Sequence, residues 1–161
     1  MMHNPSEDKD NINDFAQIIT QLTETVDELN RLESVKAATA SQGHHDRMDG
    51  LLKEEQACIL KLRGLEQRRI RLQGGLGWGG LTFRQILVTA EKEQAGRLSP
   101  LFTGLEQGIK RLLDTRDTAQ RAISARLREF ASVLADMEGL SYDSSGEAEV
   151  EIPSHFHDRY V

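Results

Sequence analysis

The feature that most constrains the fold is the spacing of apolar residues in the last third of the chain. From residue 98 to residue 137, a position on one helical face recurs every three or four residues without interruption. This spacing is typical of an α-helix and not of a strand, whose apolar positions alternate. The face comprises Leu98, Phe102, Leu105, Ile109, Leu112, Arg116, Ala119, Ile123, Arg126, Phe130, Val133 and Met137. With Ser99 as N-cap and Pro100 at the first helical position, it predicts a helix over 99–138, about 60 Å long.

Two segments upstream have a similar but weaker pattern. Apolar residues spaced by threes and fours predict helices over 13–42 and 46–73. Asn11 or Asn13 can cap the first of these helices, and Gly43 can end it in a left-handed conformation. The connection between the two helices is short, which favours an antiparallel hairpin.

A short helix is expected between the hairpin and the long final helix. Thr82 and Gln85 have the spacing of a capping box, which predicts a helix start and a helix over 82–94. The predicted fold is therefore all-α: an antiparallel helical hairpin packed with a long third helix, forming an elongated coiled-coil-like bundle. We expect a single helical domain over 1–146 and a flexible acidic tail over 147–161.

The composition suits helices that bury one stripe and expose the rest. Apolar residues make up 38% of the 161 residues, aromatics 5% and charged residues 29%, and the net charge is −6. A nucleic-acid partner is disfavoured because such proteins need a cationic surface. One basic cluster, 63–71, contains four arginines, but Glu54, Glu55 and Glu66 lie before or among them. Mixed signs favour a solvated helical face over a phosphate site.

The expected location is the cytoplasm. Cys58 is the single cysteine, so no intrachain disulfide can form, and a reducing compartment is the simplest interpretation. The first residues contain no apolar stretch of the kind that a secretory signal needs. No window approaches the roughly 18 apolar residues of a membrane span.

Catalytic and metal-binding patterns are weak. The glycine-rich run 74–80 has no following Lys-Ser/Thr pair and follows a helix, so we favour a flexible turn, with Trp78 against the bundle, over a phosphate loop. The histidine pairs at 44–45 and 155–157 lack the scaffold of a structural zinc site. We therefore expect no enzyme, no metal and no cofactor.

Arg116 and Arg126 interrupt the apolar face of the final helix. They could pair with acidic residues of the hairpin, set the register of the helices, or extend their charged ends to solvent. We favour the last alternative, since long cationic side chains often cover apolar surface in this way.

The final helix is longer than the arms of the hairpin, so its end should remain uncovered. Exposed apolar surface of this kind is typical of a partner-binding site. The alternative is that the same residues close an intramolecular or dimeric bundle, in which case the chain is a structural coiled-coil protein that self-associates through its last helix. The candidate binding residues are Leu127, Phe130, Val133, Leu134, Met137 and Leu140.

The order of these parts resembles the flagellar type III export chaperones of the FlgN-like family. The resemblance covers roughly residues 15–146 and rests on the break at Gly43 and on the segments 53–55, 65–69 and 140–146. The last segment, which contains Tyr142, follows the long helix directly, as in that family.

The resemblance implies a role. The chaperone would bind the helical C-terminal segment of a hook-associated (hook–filament junction) protein in the cytosol and prevent its premature assembly. It would then deliver that client to the type III export gate, whose cytosolic domain Tyr142 would contact. Alternatively, Tyr142 packs back onto the helix. The implied partners are these two proteins, with no nucleic acid, no stable membrane insertion and a homodimer as an option.

Overall fold

The architecture is all-helical, as predicted. The computed structural model describes residues 4–138, apart from the side chains of Ile123, Arg126, Met137 and Glu138. Over that range the chain contains no strand. The helices are α1 (Pro5–Gln42), α2 (His45–Gly75), α3 (Phe83–Thr89) and α4 (Lys92–Glu138). The expected tail, 147–161, lies outside the described residues.

The first helix starts earlier than its apolar spacing predicted. α1 begins at Pro5 and not at Asn13. The side-chain oxygen of Asn4 caps it by accepting a hydrogen bond from the backbone amide of Ser6 at 3.4 Å. Proline suits the first helical position because the missing N–H would have no helical partner there. No apolar residue precedes Ile12 in the helix, so the apolar pattern contains no sign of these first turns.

The hairpin of α1 and α2 is antiparallel, as predicted. Gly43 ends α1 with a φ of 74°, the left-handed conformation that glycine adopts without steric cost. Lys36 meets Glu55 near the turn, while the thiol of Cys58 donates to the backbone carbonyl of Thr25 farther from it. Successive residues of α2 thus pack against progressively earlier residues of α1.

α4 runs parallel to α1 in a constant register. Three pairs of side chains show this register: Arg97 with Asn13, Arg111 with Asp27, and Arg116 with Glu33. The two residues of each pair are 84, 84 and 83 positions apart along the chain, respectively. α1 is the central helix, since it packs against both α2 and α4. In the described residues, no Cα atom of α2 comes within 8 Å of a Cα atom of α4.

The core is concentrated at the end of the bundle where α3 lies. The ring of Phe15 makes edge contacts with Trp78 at 5.8 Å and with Phe102 at 6.1 Å, and Phe83 stacks on Phe102 at 4.0 Å. Such aromatic pairs add stability beyond the area they bury. The largest fully buried side chains are Phe15, Phe83, Phe102, Ile18, Ile19, Leu22, Ile86, Leu98, Leu105 and Val26.

The capping box at the start of α3 is as predicted. The Thr82 hydroxyl accepts from the backbone amide of Gln85 at 3.2 Å, and the Gln85 side chain accepts from the amide of Thr82 at 2.9 Å. α3 ends at Thr89, however, and not at residue 94.

The predicted start of the last helix at Ser99 and Pro100 is wrong. α4 already begins at Lys92 and runs through Pro100, which lies inside it. Pro100 cannot donate to the carbonyl of Gly96, but both residues are exposed, so water can satisfy that carbonyl. Leu98 and Phe102, buried on either side of the proline, hold the two parts in one continuous helix.

The glycine-rich run forms a folded turn. Trp78 is buried against the bundle, as predicted. The side-chain amide of Gln73 donates to the carbonyls of Trp78 and Leu81, both at 2.8 Å. Several backbone amides of the turn donate to nearby backbone carbonyls and so are not available to an anion: Leu76, Gly77, Trp78 and Leu81. This supports the turn over the phosphate loop.

Candidate helix-binding surface

An apolar surface lies at the C-terminal end of α4. We call the six candidate residues the terminal apolar face: Leu127, Phe130, Val133, Leu134, Met137 and Leu140. Leu127 and Phe130 are each 63% exposed and Val133 is 55% exposed. Leu134 is half-buried. The side chain of Met137 and the whole of Leu140 lie outside the described residues.

The terminal apolar face continues the stripe through which α4 packs on the hairpin. Along that stripe Leu98, Phe102, Leu105 and Ile109 are buried, and Leu112 is half-buried. The stripe repeats every three or four residues, so its later members point to the same side of the helix. The same side of α4 is therefore covered in its first half and uncovered near its end.

The register of α1 and α4 explains where the cover stops. With an offset of 84 residues, Gln42 at the end of α1 is level with residue 126 of α4. The twelve residues from 127 to 138 therefore extend beyond the hairpin, over about 18 Å. The terminal apolar face is exposed because α1 ends before it.

The tip of the hairpin buries little apolar surface. Val35 is 36% exposed and Leu52 is 41% exposed. Small side chains bury little apolar area, so this part of α4 gains little from packing. The small residues of this region are Ala37, Ala38, Ala40, Ser41, Ala119, Ala122 and Ala125.

A charged layer separates the packed half of the bundle from its tip. Glu33 and Lys36 of α1, Glu55 of α2 and Arg116 of α4 meet there. The ammonium of Lys36 lies 3.3 Å from Glu33 and 3.0 Å from Glu55. The guanidinium of Arg116 lies 3.3 Å from Glu33 and 3.5 Å from Glu55. Both carboxylates belong to buried residues, which need such partners.

This layer corrects the interpretation of Arg116. Its side chain pairs with acidic residues of the hairpin, as one alternative held, and the solvent-directed orientation that we favoured is wrong. The preference failed because the alternation of apolar residues on α4 does not reveal where carboxylates of other helices will lie. The side chain of Arg126 lies outside the described residues.

The pKa values of the two carboxyls in the layer shift in opposite directions. Burial raises the pKa of Glu33, and its hydrogen bond with Glu55 raises it further, against the opposing effect of Lys36. Burial also acts to raise the pKa of Glu55, but hydrogen bonds from the Glu33 carboxyl and from Lys36 outweigh it, so that pKa is lowered. A proton in this layer therefore resides on Glu33 before Glu55.

Arg69 is buried and not part of the solvated basic face that its neighbours form. Its guanidinium donates to both carboxylate oxygens of Glu66, at 2.9 and 2.7 Å, and hydrogen-bonds Gln73. It also lies over the ring of Phe83, 5.7 Å from the centroid. The spacing offered a signal, since Arg69 is three residues after Glu66 and four before Gln73.

The groups considered for chemistry do not form a site within residues 4–138. No group of three or more His, Cys, Asp or Glu side chains is placed to hold a metal there. His44 and His45 are exposed. Burial raises the pKa of the Cys58 thiol, which makes it less nucleophilic. In the same range, no helix has the length and apolar content to cross a membrane.

The long helices, the cover that α1 provides for the first part of α4 and the uncovered end of α4 are typical of proteins that pack against helices of other chains. The FlgN protein family model matches residues 1–146, most of the chain. The chain belongs to the FlgN family and is a flagellar export chaperone, and the proteins of this family are not enzymes. Comparison with curated proteins and with solved structures gave no match.

Proposed function

We propose that this chaperone binds the helical C-terminal region of hook-associated, hook–filament junction proteins through the terminal apolar face. Binding takes place in the cytosol and covers a client surface that would otherwise assemble too early. The chaperone then delivers the client to the type III export gate. The proposed unit is the domain over 1–146, with 147–161 as a flexible tail.

The observation that carries this proposal is the uncovered end of α4. Leu127, Phe130 and Val133 are more than half exposed on a face that the hairpin covers elsewhere. An amphipathic client helix with apolar residues at matching intervals can cover such a face. Each large side chain that becomes buried contributes about 1.5–3 kcal/mol before the costs of association.

The double variant Phe130→Ala, Leu134→Ala tests the surface. We expect it to lose co-purification with a junction protein while its far-UV circular dichroism remains helical, because two anchors of the face are gone. The matched control is Arg128→Ala, Ser132→Ala, which changes two exposed polar residues on the opposite side of the same turns. Unchanged capture by the apolar variant would remove the terminal apolar face from the proposal.

Tyr142 is proposed as the contact to the cytosolic domain of the export gate. A tyrosine offers a large rigid surface and one hydrogen-bonding group, which suits an interface anchor. We expect Tyr142→Ala to keep the client but to weaken binding of the chaperone–client complex to that domain. Tyr160→Ala, at the other tyrosine of the chain, is the control. Equal gate affinity for Tyr142→Ala and wild type would contradict this role.

Self-association is the competing function, since the same exposed face could pair with a second copy. Sedimentation velocity over a range of concentrations separates the two. A tight homodimer that Phe130→Ala, Leu134→Ala converts to a monomer would favour a structural coiled-coil protein. A wild-type monomer that binds the junction protein supports the chaperone.

A further inference from the structure

The outward side of α2 carries an exposed cationic surface, which we call the outer face of α2. It consists of Lys53, Leu60, Lys61, Arg63, Arg68, Ile70 and Arg71, all exposed. None of its five cations forms an ion pair with a carboxylate of the described residues, whereas Arg31, Lys36, Arg69, Arg111, Arg116 and Arg121 all do. The charge of this surface is therefore opposite in sign to the net charge of the protein, which is −6.

Of the acidic residues near this surface in the sequence, Glu55 and Glu66 do not lie on it, and Glu54 lies at its N-terminal edge. The carboxylate of Glu55 is in the buried layer between the helices, and that of Glu66 is bound to the buried Arg69. Glu54 is exposed but lies 4.0 Å from Arg31 of α1. From residue 56 to residue 75 the exposed charges are all positive, so the mixed signs that favoured a solvated face are absent from this part of α2.

The positions on the outer face of α2 match the layout of one helix that meets another. Lys53, Leu60 and Arg71 follow one line, since seven and eleven residues are close to two and three helical turns. Lys61 and Arg68, seven residues apart, flank this line on one side. Charges that flank an apolar contact at this interval are typical of paired helices. Leu60, 66% exposed, and Ile70, 46% exposed, supply the apolar contact.

The glutamates of the acidic tail of the same chain cannot reach the arginines of this surface. Cys58 packs beside Thr25, which is level with Ile109 of α4, so Glu138 lies about 44 Å farther along the bundle. A fully extended chain from residue 138 to Glu151 spans at most about 45 Å. Arg63, Arg68 and Arg71 lie farther still from the end of α4, so the tail glutamates cannot reach them.

We propose that the outer face of α2 is a second docking surface, which binds an acidic amphipathic helix of another protein. Complementary charge selects the partner and orients it, and Leu60 with Ile70 provides the apolar contact. A nucleic acid or an anionic bilayer fits less well because both extend beyond a single helix, and the remainder of this protein is more acidic than the whole. Because α1 lies between α2 and α4, a client on α4 leaves this surface free.

A designed peptide provides the probe. It has three heptads, about 21 residues, with leucine at the apolar positions and glutamate at the flanking ones, and a second peptide has lysine in place of glutamate. Fluorescence anisotropy measures the affinity of each for the full chain at about 50 and about 300 mM NaCl, since screening weakens charge pairing. Vesicles containing phosphatidylserine and a single-stranded DNA oligonucleotide are parallel probes.

The decisive variant is Arg63→Glu, Arg68→Glu, Arg71→Glu. Its matched control is Lys9→Glu, Lys92→Glu, Lys110→Glu, which makes the same change in net charge at exposed lysines away from α2. Since all six side chains are solvent-exposed, both variants should fold, and circular dichroism checks this. If the arginine variant loses helicity, the corresponding glutamine variant replaces it.

We expect the acidic peptide to bind the wild type and to lose affinity about tenfold or more with the arginine variant, but less than about twofold with the lysine control. Phe130→Ala, Leu134→Ala should leave this affinity unchanged, which separates the second surface from the client site. No binding of the acidic peptide, equal losses in both charge variants, or tighter binding of the vesicles or the DNA would overturn the proposal.

Discussion

Glu33 lies where three helices meet, and its ionisation changes the charge balance of a buried layer. With both carboxylates ionised, the layer contains two negative and two positive groups. With Glu33 protonated, one positive charge is in excess, but a buried carboxylate no longer has to be stabilised. Its raised pKa shows that burial is the stronger effect. The pattern of apolar residues on α4 could not predict that Arg116 would lie opposite Glu33.

The pH dependence of unfolding tests this assignment through Glu33→Gln. Because the pKa of Glu33 is raised in the folded state, its contribution to stability is complete below its ordinary value of 4.5 and is lost as the pH rises through the folded-state pKa. From pH 4.5 upward, we therefore expect the wild type to lose free energy of unfolding relative to Glu33→Gln. Glu55, with a lowered pKa, contributes in the opposite direction: its contribution is lost as the pH falls below 4.5.

Urea unfolding followed by circular dichroism, at a series of pH values up to neutral, measures the difference. Glu24→Gln on the exposed side of α1 is the control for the loss of a glutamate carboxylate from this helix. A wild type that gains stability relative to Glu33→Gln as the pH rises would mean that the pKa of Glu33 is lowered in the folded protein.

At the scale of the helices, the continuity of α4 through Pro100 sets the rigidity of the rod that ends in the binding surface. A break at Ser99 would have made a hinge between α3 and the long helix. Instead, Leu98 and Phe102 are buried on both sides of the proline, and the helix extends back to Lys92. The cost is one missing hydrogen bond on an exposed side of the helix.

Substitutions of Ser99 and Pro100 distinguish a continuous helix from a helix that starts at an N-cap at Ser99. We expect Pro100→Ala to raise the free energy of unfolding by about 2 kcal/mol, because alanine restores the bond to Gly96 and has a higher helix propensity. Ser99→Ala should change it by less than about 0.5 kcal/mol, as at an exposed surface position. Chemical denaturation measures both. A loss of about 1 kcal/mol for Ser99→Ala would instead indicate an N-cap.

The sequence predicted the elements better than their ends or their polar contacts. Periodic apolar residues predicted the long helices, and the local hydrogen bonding of Thr82 with Gln85 predicted the start of α3. The start of α1 was missed because its cap, Asn4, precedes turns that bury no apolar residue before Ile12. A serine followed by proline marks a helix start only when the residues before them are not packed as part of the same helix. Because Leu98 is buried in the bundle, the helix continues through Ser99 and Pro100 instead of starting there.

At the scale of the whole molecule, stability is distributed unevenly along the bundle. Aromatic side chains from α1, α3, α4 and the glycine-rich turn meet at one end. Beyond the charged layer, small residues and then an uncovered helix follow. The exposure of the terminal apolar face depends on this asymmetry and on the relative lengths of α1 and α4. Periodicity alone predicts the helices but not their register, for which the pairs of α1 with α4 are needed.

Hydrogen exchange should show this gradient in the isolated chaperone. We expect backbone amides of 98–113 to exchange slowly and those of 117–138 to exchange about a hundredfold faster or more, because local opening there breaks few buried contacts. The amides of 12–32 in α1 are the internal reference for slow exchange. A bound junction protein should slow exchange in 117–138. Uniformly slow exchange along α4 in the free monomer would contradict the gradient.

Because α1 and α4 are parallel and in register, the length of the hairpin determines how much of the terminal apolar face is exposed. Adding one heptad to each arm of the hairpin would move its turn about 10 Å along α4 and bury the first residues of the site. Removing a heptad would uncover the same length of Ala-rich helix, which offers little to bind. The hairpin contains none of the proposed client contacts. Its length nevertheless determines how many turns of a client helix can bind to the end of α4.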